Sequence, residues 1–444
     1  FSAAYRISEE PFFEPLRKAV DNLKIRLSYG SLGNQQIGYY DFIQTVTTKG
    51  SMSDYSFDGT TLGQHATVSD PVSGNQTWEK VVSKNLGLDL NMFRNRLSLT
   101  ADFYIRDTKG ILGKGKSLPS IYGADEPQVN SNNLRTKGYE LVLGWRDSFE
   151  LAGSAFSYGI TGSFSDYTAK YTKCDNPSGL IGDPYVGKKY GEIWGYKVDG
   201  LFRTDEEAAE YASRIDLSTV AAGYYSATGA YGKGVRAGDI KYLDLNGDNI
   251  VNGGKGTLED PGDRRVIGNS SPRYQYGATL NFSWYGFDVS VFVQGIGRLD
   301  WYPGADNLRF WGPYCRPYAT FIPKNFMSRV WSEENTDAYF PRARAYTSLN
   351  STQGTAYYTN DRYLQNLAYC RLKNLTIGYT IPRRLTSKVG IKECRIYFSG
   401  ENLATWSALE SDFLDPEQAA ADSDKKSNVY PWCKTYSVGL NLTF

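Results

Sequence analysis

The sequence predicts an all-β protein, a transmembrane antiparallel up-and-down β-barrel, and three observations carry that prediction. Segment after segment alternates apolar and polar side chains, the period of two that gives a strand one greasy face and one wettable face. Short turns and long polar loops follow each other in strict alternation, as they do when one rim of a barrel is tight and the other is elaborated. The chain also ends on the pattern. Tyr436, Val438, Leu440, Leu442 and Phe444 are apolar, and Thr435, Ser437, Gly439, Asn441 and Thr443 between them are small or polar. This terminal stretch reads as a strand with hydrocarbon on one side and an enclosed interior on the other.

The elements follow in order. Phe1–Ile7 and a Pro-containing turn lead to Leu23–Tyr29, with Leu23, Ile25, Leu27 and Tyr29 on one face. A Gly/Ser/Thr/Asp-rich loop precedes Trp78–Leu90, which turns at Asn91–Asn95 into Arg96–Arg106. Leu134–Trp145 and Phe156–Phe164 form the next pair. The longest loop, 165–271, is punctuated by turn dipeptides and holds one helix-like stretch at Asp205–Ile215. Tyr274–Trp284 is the cleanest strand, since Tyr274, Tyr276, Ala278, Leu280, Phe282 and Trp284 alternate with short polar residues. It turns at Tyr285-Gly286 into Phe287–Val293. A loop crowded with aromatic residues, Arg and Pro, 295–366, precedes Leu372–Ile381. A basic turn, Arg395–Leu403, an acidic loop and the terminal strand complete the chain. The total is about eleven strands with long extracellular loops, and an odd number cannot close a bacterial up-and-down barrel. The amino terminus carries no signal peptide, so it is expected to be a cut, with the missing strands upstream.

Composition agrees. At 444 residues the length alone suggests several soluble domains, but 35 Tyr, 45 Gly and only 3 Met fit a barrel better. The formal net charge of +1 supports neither a nucleic-acid surface nor a polybasic membrane anchor. Mean hydropathy is negative, which a barrel tolerates because only alternate residues meet lipid. No apolar run reaches the roughly 18 residues of a spanning helix. Five cysteines, Cys174, Cys315, Cys370, Cys394 and Cys433, form no CxxC, which excludes a zinc ribbon or a redox motif.

Read together, these segments resemble the carboxyl-terminal half of a SusC/RagA-type TonB-dependent outer-membrane transporter. The resemblance is carried by Arg6–Phe12, Asp21–Gly30, Trp78–Leu90, Lys137–Leu141, Gly238–Tyr242 with Asp244–Asp248, Asp263–Gly268, Arg371–Tyr379 and Tyr436–Phe444, in family order. It implies that residues 1–444 are half of a plugged barrel of about 22 strands, the plug and amino-terminal strands lying outside this chain. It implies location in the cell outer membrane, a SusD-like surface lipoprotein as lid, and energy from the TonB complex through the missing part. A dimer of transporter–lid pairs is a further implied assembly. The cargo would be an oligosaccharide; a peptide importer of the same family and a structural or adhesive barrel are the alternatives. No enzymatic activity and no nucleic-acid partner are expected.

Two stretches suggest sites. Asp244, Asn246, Asp248, the Ile250 carbonyl and Asn252 place oxygens at alternate loop positions, which suits a hard cation such as Ca²⁺. Asn249 stands at the usual Gly position and Lys255 where a carboxylate is expected, and the resemblance makes Asp263 the displaced closing ligand. A turn held by Asx-type hydrogen bonds, or an Asp263–Arg264 ion pair, would read the same way. The transporter requires no cofactor, and Ca²⁺ in this loop is the one expected candidate. In the aromatic loop, Trp301, Trp311 and Tyr314 are the candidates for stacking on sugar, among Tyr302, Phe310, Tyr318, Phe321 and Trp331; the same rings could pack the loop's own core. His65 is the only histidine and sits in a Gly/Ser/Thr-rich loop without a catalytic motif, so no catalytic residue is assigned.

Overall fold

Eleven strands form one antiparallel sheet in which each strand pairs with its neighbours in the chain. They are β1 Ser2–Arg6, β2 Val20–Asn34, β3 Glu79–Met92, β4 Leu97–Lys114, β5 Gln128–Leu151, β6 Ser154–Lys173, β7 Arg273–Trp284, β8 Phe287–Arg298, β9 Tyr369–Thr380, β10 Glu393–Ser407 and β11 Thr435–Thr443. The computed structural model describes residues 1–35, 43–49, 59–60, 65–74, 76–115, 118–225, 234–315, 322–344, 349, 354–421 and 430–444. Among these, β1 and β11 are the two sheet edges. Each strand coincides with one expected from alternation. A barrel strand needs about 9–11 residues to cross a membrane, so β5 with 24 and β6 with 20 overshoot it and carry the wall outward.

Register turns eleven alternating segments into a surface. Ile25 pairs with Leu88, Leu88 with Ala101, Ala101 with Leu141, and Leu141 with Phe164. A second row runs Trp145, Ile160, Leu280, Val291, Leu375. A third runs Phe282, Val289, Ile377, Phe398, Val438. A slip of one residue would send any strand's apolar set to the other face, so the rows are self-consistent only in this register. The band is uncovered: Val438 is 80% exposed, Leu440 56% and Leu143 52%. Contiguous apolar area of this extent belongs against lipid.

The opposite face is polar and self-neutralised. Arg26 on β2 donates to both oxygens of Asp89 on β3 and both of Asp102 on β4, at 2.9–3.1 Å. Arg395 on β10 reaches over β9 to Asp288 on β8 at 2.5 Å. Both crossings need a glycine beneath them. A Cβ on Gly87 would lie 2.5 Å from Arg26 Cζ, and one on Gly378 would lie 2.5 Å from both Asp288 Oδ1 and Arg395 Nη2.

On the long-loop rim three chain segments fold into a single cap. Tyr196, Phe202, Leu217, Val220, Tyr224, Ile240, Tyr242 and Val251 come from the first, Trp301 through Leu367 from the second, and Leu414 and Ala419 from the third; all share one buried core. Small antiparallel pairs brace it, including Glu192–Gly195 with Arg265–Asn269 and Val198–Leu201 with Ile240–Tyr242. The expected helix is present as α1, Asp205–Arg214. Thr204 caps it by accepting from Glu207 N, Glu207 reaches back to Arg203 N, and three carboxylates occupy the first turn, where the helix dipole favours them.

Candidate functional site

The cap is held at its centre by a hydrogen-bonded aromatic knot. Asn360, fully buried, donates through Nδ2 to the hydroxyls of Tyr242 and Tyr302 and to Tyr358 O, and its Oδ1 accepts from Tyr363 N. Tyr242 donates onward to Thr355 O at 2.5 Å. A buried amide with its polar atoms met in this way fixes the rings around it.

The three rings expected to stack on ligand lie inside this core, which corrects that expectation. Trp301 is 5% exposed, Trp311 0% and Tyr314 3%. Trp311 belongs to a short helix, α2 Leu308–Trp311, capped by Asn307, and its Nε1 donates to Gly304 O at 3.0 Å. Its ring meets Tyr363 edge-on at 5.0 Å. Tyr314 donates to Pro341 O at 2.5 Å, and burial raises its hydroxyl well above the usual phenol range. Area burial took these rings because apolar contact with each other outweighs exposure on a loop. Tyr302, Phe310 and Trp331 are buried with them, while Tyr318 and Phe321 lie outside the described residues. Ring surface remains open on Tyr225, Tyr357, Phe413 and Trp432. Trp432 is restrained twice: its backbone N–H donates to Asp415 Oδ2 at 3.3 Å, and Lys373 Nζ lies 5.2 Å from its ring centre. No local signal in the sequence points to it, because both restraints come from distant segments.

The oxygen-rich loop closes on itself. Asp244 accepts from Gly247 N and Asn249 N, and Asp248 from Ile250 N and Asn246 Nδ2. Asp263, fully buried, accepts from Leu245 N and Asn246 N on one oxygen and from Asn252 N on the other. Asn252 accepts from Gly254 N. Asn249 adopts φ 64°, the left-handed conformation its position requires. All six carboxylate oxygens are thus occupied by the loop's own donors, and no three acidic, histidine or cysteine side chains converge at metal-binding distance among the described residues. These Asx-type bonds fix the shape of the loop, and each carboxylate oxygen keeps a further lone pair. Arg264 turns to Gly253 O at 2.7 Å, not to Asp263.

Between cap and wall lies a polar cleft of about 480 Å³, lined by Lys189, Tyr190, Glu192, Asn269, Arg273 and Arg298 among others. Arg273 is locked on Asp166 by two bonds of 2.5 and 2.6 Å, and Arg298 on Asp300 at 3.0 Å. The rim beside it is pinned by Lys188, whose Nζ donates to Ile181 O, Gly182 O and Asp183 O, burial pushing its pKa down. Tyr185, donating to Glu192 at 2.6 Å, is pushed up to about 12 by burial. Donors and acceptors of both kinds beside ring faces suit a neutral, hydroxyl- or amide-rich ligand. Nothing in the cleft combines a nucleophile with a base. His65 heads the short strand His65–Val68, and its side chain lies outside the described part.

No protein-family model matches the chain. It is similar over its whole length to TonB-dependent receptors: P26 of Formosa agariphila is 27% identical over 471 residues, covering 100% of this chain and 42% of the relative. P3 of the same organism is 25% identical, covering 99% and 41%. SusC of Bacteroides thetaiotaomicron is 21% identical, covering 99% and 39%. The chain therefore spans about two-fifths of the length of the curated relatives it matches. Among solved structures, the RagAB peptide transporter superposes with a TM-score of 0.68 at 19% identity, covering 100% of this chain and 43% of that one.

Proposed function

We propose that this chain, an outer-membrane β-barrel wall of the SusC/RagA type, serves TonB-dependent import of a large nutrient, an oligosaccharide, together with a SusD-like lipoprotein. The observation that carries the reading is the wall itself: an uncovered apolar band outside, a charge-paired face inside, and a folded cap on the long-loop rim. Lipid does not tolerate free sheet edges; in this reading β1 and β11 would be met by further strands, which together with a plug would complete the barrel. The cleft's neutral mixture of hydroxyl, amide and paired charges supports a saccharide cargo. TonB would act on the plug, and the wall stays rigid while the bore is opened. No chemistry on the cargo is part of this scheme.

Peptide cargo is the second reading, because the RagAB transporter of the same fold is a peptide importer. Uptake of labelled oligosaccharides and of labelled peptides by cells carrying the full-length transporter and its lid would decide. Oligosaccharide accumulation that disappears when TonB is deleted is expected. Accumulation of peptide alone would replace the cargo, and uptake of both without TonB would remove the mechanism.

A further inference from the structure

The turn between β9 and β10, on the short-turn rim, is built as an amphipathic foot on the outer side of the wall. Pro382 opens it, α3 Arg383–Thr386 runs on into a 3₁₀ turn Ser387–Val389, and Gly390 at φ 76° ends it. Ile391 N returns to Thr386 O at 3.2 Å, so bonds within the turn hold its shape. Helical spacing puts Leu385 and Val389, four apart, on one side and Arg384 and Lys388, also four apart, on another. Leu385 is 54% exposed and Val389 72%.

Register decides which side of the wall carries the foot. Arg395 lies on the inner face with Asp288, so Cys394 and Ile396 belong to the outward set, where they pair with Leu442 and Leu440. Ile396 and Leu442 are exposed, yet Cys394 beside them is buried, as is Thr386, and α3 packs against β10. The foot therefore lies outside the bore, over the end of the apolar band. That end is marked by the outward rings of Trp284, Phe287 and Tyr379, neighbours in register, the last two with centres 4.6 Å apart. Such a row is the aromatic girdle that sits at headgroup level in a membrane barrel. Around the foot, Arg383, Arg384, Lys388 and Lys392 face a single local carboxylate, Glu393. Glu393 is two positions from Arg395 and shares its inner face, and Lys392 donates to Phe444 O at 2.7 Å. Arg383, Arg384 and Lys388 are left exposed.

We propose that this foot docks into the membrane surface and binds anionic phospholipid. Leu385 and Val389 enter the boundary between headgroups and acyl chains, and Arg383, Arg384 and Lys388 hold the headgroup phosphates. Apolar area and positive charge on one short amphipathic segment are the two terms that bind a charged lipid surface. The foot continues a band that already meets lipid, which selects a lipid over a free anion. The inference rests on that band and on nothing about the cargo.

The test uses the full-length transporter with its lid, purified in detergent, and native mass spectrometry with dioleoylphosphatidylglycerol and dioleoylphosphatidylcholine, which share acyl chains and differ in headgroup charge. The anionic lipid should bind at least about tenfold more tightly, since each cation near a charged lipid surface is worth about fivefold. Arg383→Gln with Arg384→Gln and Lys388→Gln should remove that preference. Leu385→Ser with Val389→Ser should weaken both lipids and leave their ratio unchanged. Unchanged heat-modifiability on gels checks that each variant is folded. In cells, a benzophenone crosslinker placed at Val389 should form a lipid adduct. Equal binding of the two lipids, a preference that survives the glutamine triple, or a serine pair that binds both lipids as the wild type does overturns the proposal. So does a crosslink to the upstream part of the transporter or to a periplasmic protein in place of lipid.

Discussion

At the scale of single residues, position in the cap decides role more firmly than side-chain type. Trp311 and Trp432 are chemically identical, yet one is enclosed and the other is half exposed beside Lys373. Trp311→Ala should therefore destabilise the cap by about 3–5 kcal/mol, seen as rapid proteolysis of the cap. Trp432→Ala should leave protection unchanged and weaken ligand binding in titrations. Asp263 makes a parallel case. Its carboxylate receives three backbone N–H groups, and bonds to a buried charged group contribute about 1.5–3 kcal/mol each. Asp263→Ala should open the 244–263 loop to protease, while added Ca²⁺ or a chelator should leave the wild-type melting temperature where it was. A calcium-dependent rise would favour the metal reading. The alternating oxygens of this loop were plain in the sequence. An Asx-type turn was one of the readings open there, and only Asp263's bonds to Leu245 N, Asn246 N and Asn252 N depend on the chain's return from eleven residues beyond Asn252.

At the scale of elements, strands were legible and the cap was not, and the reason is range. Alternation in Tyr274–Trp284 is a property of neighbours two apart, so it survives in the bare sequence. The contact that joins Asn360 to Tyr242 spans 118 positions and leaves no periodic trace. The same applies to the loop between β10 and β11, which reads only as acidic. Its Asp415 and Glu417 are instead clamped by Arg371, 1% exposed, at 2.7 Å each, with Lys373 on Glu417 at 2.8 Å. Arg371→Ala leaves two carboxylates without their main partner, and breaking a buried pair costs about 3–5 kcal/mol. Hydrogen exchange in 408–421 should accelerate strongly. Gly378→Val should push Arg395 off Asp288 and lower the temperature at which the folded band disappears on gels, with Gly378→Ser milder because its side chain is smaller.

At the scale of the molecule, the two faces of the wall make opposite demands on the same strand. Leu440→Arg places a charge on the outward band, where a midplane arginine costs about 2–4 kcal/mol. Ser437→Arg, on the same strand but on the polar face opposite Ser399, should be accepted. The fraction of each variant recovered folded in outer-membrane preparations should fall for the first and stay near wild type for the second. Equal tolerance would mean that the band does not meet lipid.

The cap's single core, drawn from segments that leave the wall after β6, β8 and β10, sets an order of events at birth. That core is complete only when all three segments have arrived on the same side of the membrane. It therefore closes only once the segment between β10 and β11, which brings Leu414 and Ala419, has joined the rings of Trp311, Tyr363 and Phe340. Condensation outside would act as a latch, making the last hairpins far harder to withdraw than to insert.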